Sequence, residues 1–344
     1  MDSLHSLRPT VEDVQRIVDY HRGDGSAVVS LEEAKSQGYS AFTPTKSYEV
    51  ILEDGTAYTL RISTPTASTN PTYAPNSLAT EQSLLQLLSQ HTSIPIPAIH
   101  ALDVSLALVP YHYLLLSRPR GVPLSAAIAS GKLSERQTAL LDLRMGAFLK
   151  QLHEQVQNDW FGLPAQEADG LYSWQEAFTL LLEELLEEAR MRDVPLPYED
   201  LRRSLSRAIG SFLFDDCEVP SFISFTGDAD TTLVDFDGDR PTERDEVEIT
   251  SFLSVSHALW GDPLLETMLL DPSEALVEGY GGSPIVFPRQ KTKRLWYTLF
   301  LALMVTVQHK REETQMGEGE SEKLKWAVET LRKCAEELKN APCY

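Results

Sequence analysis

The side chains best equipped for chemistry crowd into one stretch, Phe225 to Pro263, which reads FTGDADTTLVDFDGDRPTERDEVEITSFLSVSHALWGDP. Asp228, Asp230, Asp235 and Asp237 supply carboxylates, Thr231 and Ser254 hydroxyls, and His257 an imidazole. A carboxylate and an imidazole that share a pocket form an acid–base pair, which takes a proton from one atom and returns it to another. Asp228 with His257 would suit isomerisation or dehydration of a small molecule. Two blander readings fit the same residues: a hairpin with a solvated acidic tip, and a surface histidine at the start of a helix.

The pattern around these residues indicates what must hold them. Ile223 and Phe225 make an apolar approach, Thr226-Gly227-Asp228 a turn, and Thr232-Leu233-Val234 a short strand. Asp237-Gly238 is a hairpin signal, and Val247 to Leu253 alternates apolar and polar residues as a second strand does. A second hairpin stands upstream, where Ser47–Leu52 and Ala57–Ile62 flank Glu53-Asp54-Gly55-Thr56. Apolar spacing predicts helices over Pro9–Tyr20, Leu78–Gln90, Arg136–Val156, Ser173–Arg192, Tyr198–Phe214, Asp271–Gly281, Lys291–His309 and Glu322–Leu338. Tyr111–Leu116 reads as a buried strand. Pro65 to Ser77 and Gln315 to Ser321 read as loops.

In order and spacing these residues resemble the aminoglycoside phosphotransferase family, the small-molecule branch of the protein-kinase-like fold. Gly227-Asp228 matches the G-D of its catalytic loop, Leu233-Val234-Asp235 its L-V-D, and Ala258 with Gly261-Asp262-Pro263 its closing A-x-x-G-D-P. His91-Thr92-Ser93-Ile94-Pro95 matches an H-T-x-I-P connection, and Ser117 to Leu124 resembles the linker between lobes. The resemblance implies an α+β, two-lobed fold. Residues 1–116 would form the N-terminal lobe, 117–124 the linker, and 125–344 a helical C-terminal lobe. Within it Arg61 takes the position of the phosphate-contacting basic residue and Glu81 that of its paired acid. The pair suits a working contact or a structural relic. Phe42 and Pro44 sit in the phosphate-covering loop, which is poor in glycine here and suits a lid over something less polar than a triphosphate. His153 takes a position that braces the loop below.

The departures carry chemical meaning. Thr226 stands where the loop histidine belongs, or that histidine is deleted, and the loop is about two residues short between Asp228 and Thr231. Thr231 takes the place of the metal-binding asparagine and Ser254 that of the metal-binding aspartate. Phosphoryl transfer rests on positioning and on neutralising phosphate charge, chiefly by magnesium, which takes hard oxygen ligands. Hydroxyls at both positions should cost several kcal/mol of metal and transition-state binding. The sequence therefore resembles a degenerate, fungal-type member with no metal site and no cofactor. Its expected activity is a cyclisation, including a pericyclic one, or an isomerisation, on a small apolar metabolite of a biosynthetic pathway. Catalytic candidates are Asp228, Arg61 and His257; substrate-binding candidates are Thr231, Ser254, Glu81 and Phe42. One alternative is an ATP-dependent small-molecule phosphotransferase, with Asp230 or Asp262 helping to hold magnesium. The other is a non-catalytic pseudokinase scaffold that presents its acidic helices to a partner.

Composition bounds these readings. The chain of 344 residues carries 51 acidic against 30 basic side chains, a net charge of −21. Such a surface disfavours nucleic acid and anionic membrane, both of which need clustered Lys and Arg. Three cysteines form no disulfide framework or zinc spacing, and no apolar run is long enough for a bilayer. These features fit a soluble, cytoplasmic protein.

Overall fold

The computed structural model describes residues 8–34, 38–64, 73–236, 247–313 and 322–343. The expected Asp237-Gly238 turn, the Gln315–Ser321 loop and most of the Pro65–Ser77 connection lie outside them.

The chain opens with helix α1 (Val11–Arg22), begun by a Thr10/Asp13 capping box and ended by left-handed Gly23. Strands β1 (Val28–Glu33), β2 (Lys46–Leu52) and β3 (Ala57–Ser63) follow, then α2 (Leu78–His91), β4 (Ile99–Asp103) and β5 (His112–Ser117). The five strands form one antiparallel sheet in the order β1-β2-β3-β5-β4. The β2–β3 turn closes where the sequence signals it: Gly55 adopts φ +82°, and the Asp54 carboxylate accepts the Thr56 amide at 2.9 Å. Alternation then buries Tyr48, Val50 and Leu52 on one strand and Tyr58, Leu60 and Ile62 on its partner. Strand β5 is apolar from Tyr113 to Leu116, and both of its faces are covered there. Tyr113 and Leu115 join α1's Val14, Ile17 and Val18, whereas Leu114 and Leu116 join α2's Leu84, Leu85 and Leu88.

After β5 the chain crosses to the helical lobe through β6 (Val122–Pro123) and α3 (Leu124–Ala129). Gly121 permits the crossing, since a Cβ there would lie 2.2 Å from the Val234 carbonyl oxygen. The lobe continues with α4 (Glu135–Gln155), α5 (Trp174–Met191), α6 (Tyr198–Gly210) and strands β7 (Ser221–Ile223), β8 (Leu233–Phe236), β9 (Val247–Ser251) and β10 (Leu259–Gly261). Helices α7 (Glu274–Tyr280), α8 (Pro288–Glu313) and α9 (Glu322–Leu338) complete it. Strand β8 is central in a small sheet ordered β6-β8-β9, and β7 pairs with β10.

Helix α8 is buried along most of its length, packed with the apolar faces of α5 and α9 in the larger core. Helix α7 starts three residues later than the apolar pattern suggests, because Ser273 caps it and 3-10 turns occupy Pro263–Leu265 and Thr267–Leu269. Strands β4, β7 and β10 and helix α3 are too short for periodicity to reveal.

Candidate functional site

The Asp228 loop is built by its own side chains. Oδ1 of Asp228 accepts the amides of Asp230 at 2.9 Å and Thr231 at 3.1 Å. The Asp228 amide donates to Thr231 Oγ1 at 2.9 Å, and the hydroxyls of Thr231 and Thr232 each donate to the Asp228 carbonyl at 3.0 Å. An aspartate followed by two threonines readily forms this kind of local turn, since each short side chain reaches nearby backbone. The shortened loop thus closes on itself.

The other carboxylate oxygen faces the rest of the molecule. Oδ2 accepts the Tyr39 amide at 3.3 Å and lies 3.4 Å from Lys323 Nζ at the start of α9. Lys323 also approaches Asp230 Oδ2 at 3.5 Å, while Ser125 donates to Asp230 Oδ1 at 2.5 Å. Burial is the largest influence on Asp228 and raises its pKa; the Lys323 ammonium opposes this and Asp230 adds to it. Tyr39 opens a 3-10 turn, Tyr39–Ala41, in the loop between β1 and β2. The loop reaches Asp228 only because residue 38 is glycine. Gly38 adopts φ +79°, and a Cβ there would sit 2.7 Å from Asp228 Oδ2.

His257 holds the far end of the same segment. Its Nε2 lies 2.8 Å from the Phe42 carbonyl and its Nδ1 3.1 Å from the Tyr73 hydroxyl. This is the pattern of a neutral ring that donates through Nε2 and accepts through Nδ1. Burial drives its pKa down to about 4. The surface-histidine reading is overturned: His257 is 2% exposed, lies outside any helix and stacks on Tyr73. Asp228 and His257 are thus tied to the two ends of Tyr39–Phe42. The side chains of Phe42, Tyr39 and Tyr73 enter the larger core with Phe225 and Phe300.

Ser254 Oγ pairs with Ser256 Oγ at 2.7 Å, and its carbonyl accepts Ser224 Oγ at 2.7 Å, which ties it to the strand leading into the Asp228 loop. The two hydroxyls at the expected cation positions are therefore both engaged in local bonds. Among the described residues no three His, Cys, Asp or Glu side chains gather as a metal site. A set of neutral, internally bonded hydroxyls, with carboxylates already shared by an ammonium, does not fit a magnesium ion.

In the N-terminal lobe Arg61 meets Glu81 at 2.8 Å and Thr45 Oγ1 at 2.9 Å. Glu81 is 1% exposed; burial pushes its pKa up and Arg61 pulls it back.

Two further clusters brace the segments on either side of the Asp228 loop. Asp262 binds Lys293 at 2.6 Å and the Tyr297 hydroxyl at 2.9 Å, and Trp174 donates to Tyr297 at 2.7 Å. Glu266 accepts the Ser224 amide at 2.6 Å, with His153 at 3.7 Å and Tyr280 closing the other side of that imidazole at 2.9 Å. Asp262 and His153 are thus braces of the loop's foundation. Lys323, Tyr39 and Trp326 had no visible role in the sequence. Lys293, one of four basic residues in the first seven of α8, carried no local signal either.

The sequence matches the model of the phosphotransferase enzyme family over residues 44–217. The chain belongs to this family. The matched segment holds Arg61 and Glu81 and ends before the Asp228 loop. Among curated proteins none matches the sequence. Three solved structures share its fold almost end to end. A candidate aminoglycoside phosphotransferase from Ralstonia eutropha JMP134 is 13% identical with TM-score 0.61, covering 97% of this chain and 98% of its own. A thermostable aminoglycoside phosphotransferase mutant, in ternary complex with ADP and hygromycin B, is 15% identical with TM-score 0.57, covering 96% and 99%. A candidate fructosamine-3-kinase from Thermobifida fusca YX-ER1 is 16% identical with TM-score 0.57, covering 95% and 100%. The fold of this phosphotransferase-family chain is therefore two-lobed and protein-kinase-like, with an antiparallel-sheet N-terminal lobe and a mostly helical C-terminal lobe. Among the described residues no helix is long and apolar enough to cross a membrane.

Proposed function

We propose that this phosphotransferase-family chain is an enzyme that no longer transfers phosphoryl groups and acts on a small, largely apolar metabolite. The observation that carries the reading is the state of Thr231 and Ser254. Their hydroxyls replace the expected cation ligands and are bonded to Asp228 and Ser256. A triphosphate brought to this loop would meet Asp228 and Asp230 already shared by the Lys323 ammonium, and hydroxyls too poor as ligands to hold the magnesium that would neutralise it.

The chemistry that remains needs a shaped pocket holding one reactive conformer and a few polarising groups, as a cyclisation or isomerisation does. Asp228 would move a proton; His257, expected from the sequence to share that task, is buried with both ring nitrogens bonded and would instead hold the loop over Asp228. Arg61, held by Glu81, would stabilise developing negative charge, and Thr231 and Ser254 would orient a polar substituent. Phe42, expected as a substrate contact, has its side chain in the core and would act by fixing the loop that covers Asp228. The glycine-poor loop over Asp228 supports a ligand less polar than a triphosphate, and three free cysteines support a reducing, cytoplasmic setting. The cofactor-free, small-molecule character of the site is part of the same proposal, and nucleic acid and membrane are not its partners.

The test is phosphoryl transfer itself. Purified protein given ATP, magnesium and a panel of acceptor alcohols should release no more ADP than its Asp228→Asn variant, and nucleotide with magnesium should leave Tm unchanged. Apolar biosynthetic intermediates should raise Tm. Turnover of ATP onto an alcohol would sink the proposal in favour of the second reading, a working small-molecule phosphotransferase. The intact Arg61–Glu81 pair is the observation that favours that alternative.

A further inference from the structure

The positive charge on the Asp228 loop comes from the chain's own C-terminal helix. Lys323 is the second residue of α9, where a cation is disfavoured by the positive end of the helix dipole. Its position is therefore explained by what it faces outside the helix. Nζ lies 3.4 Å from Asp228 Oδ2, 3.5 Å from Asp230 Oδ2 and 4.2 Å over the Tyr39 ring. One turn on, Trp326 meets the same ring edge-on with centroids 5.0 Å apart. The helix is fixed from below, since Ala327, Leu331 and Cys334 are buried in the core shared with α8. Two side chains of a firmly docked helix thus grip one residue of the loop whose amide is bonded to Asp228.

We propose that Lys323 and Trp326 form a latch. The ammonium supplies the counter-charge for Asp228 and Asp230 that a divalent ion would otherwise supply, and the pair keeps Tyr39 seated on Asp228. A ligand reaches Asp228 only when Gly38–Phe42 lifts away from the start of α9. This deepens the reading of the same cleft, yet its test uses no phosphoryl acceptor, so either proposal can fail alone.

The experiment combines amide hydrogen exchange at Tyr39–Phe42 with Mn²⁺ titration by electron paramagnetic resonance, on the full chain without nucleotide. The wild type should exchange slowly there and bind no Mn²⁺ at the loop. Lys323→Met should speed exchange about tenfold and take up Mn²⁺ on the released carboxylates. Lys323→Arg should keep both wild-type properties. Trp326→Leu leaves the charge in place, so it should speed exchange without admitting Mn²⁺, and it serves alone if Lys323→Met does not fold. Wild-type exchange in Trp326→Leu would overturn the latch. So would Mn²⁺ binding to the wild type that Asp228→Asn removes.

Discussion

The two lobes each hold a carboxylate against a cation, and the pairs differ in kind. In the N-terminal lobe Glu81 on α2 meets Arg61 on β3 at 2.8 Å, with the carboxylate fully enclosed and Thr45 completing the contact. In the C-terminal lobe Asp228 meets Lys323 at 3.4 Å, shares it with Asp230, and draws on three backbone amides as well. The first pair joins neighbouring elements of one compact sheet-and-helix unit. The second joins a loop to a helix from the far end of the chain and traps a third segment between them. An enclosed pair with few other partners should be brittle, whereas a shared, partly exposed one should yield locally before the fold does.

The sharpest break in that comparison is Arg61→Met. Glu81 would remain buried without its partner, a loss of about 3–5 kcal/mol in unfolding free energy by denaturant titration. A loss below about 1 kcal/mol would mean Glu81 tolerates burial as the neutral acid.

Acid should act on the latched segment through His257. Unfolded histidine takes a proton below about 6.5, and the buried ring resists until about 4. The unfolded state therefore binds more protons between those values, and stability falls as pH drops through them by about 3 kcal/mol. The raised pKa values of Glu81 and Asp228 oppose this trend. The measurement is thus the difference between wild type and His257→Gln, whose stability should be flatter over that interval. Parallel curves would sink the assignment.

Lys323→Met should cost less than Arg61→Met, about 1–2 kcal/mol, because its side chain is 31% exposed and solvent screens it. Equal losses at the two sites would erase the contrast between the pairs. The smallest change belongs to the substituted cation positions. Thr231→Val removes the two bonds its hydroxyl makes with the Asp228 backbone, and Ser254→Ala the two made with Ser256; all are local, and each substitution should cost about 1 kcal/mol. A drop of several kcal/mol at Ser254 would show that its hydroxyl anchors more than Ser256.

The sequence was enough for everything that depends on neighbours. The β2–β3 hairpin follows from Glu53-Asp54-Gly55-Thr56 and strict alternation, α2 from its leucine spacing, and the Arg61–Glu81 pairing from the motif order that placed both residues. Thr231 and Ser254 were identifiable as substitutions for the same reason. Tertiary structure alone decided which cation reaches Asp228, since the unfavourable place of Lys323 at the start of α9 does not say what it faces. It also decided that His257 is a buried, neutral anchor, because its burial is supplied by Phe42 and Tyr73 from distant loops. Secondary structure records short-range spacing and capping, whereas a cleft is assembled by segments whose meeting depends on how every helix between them packs.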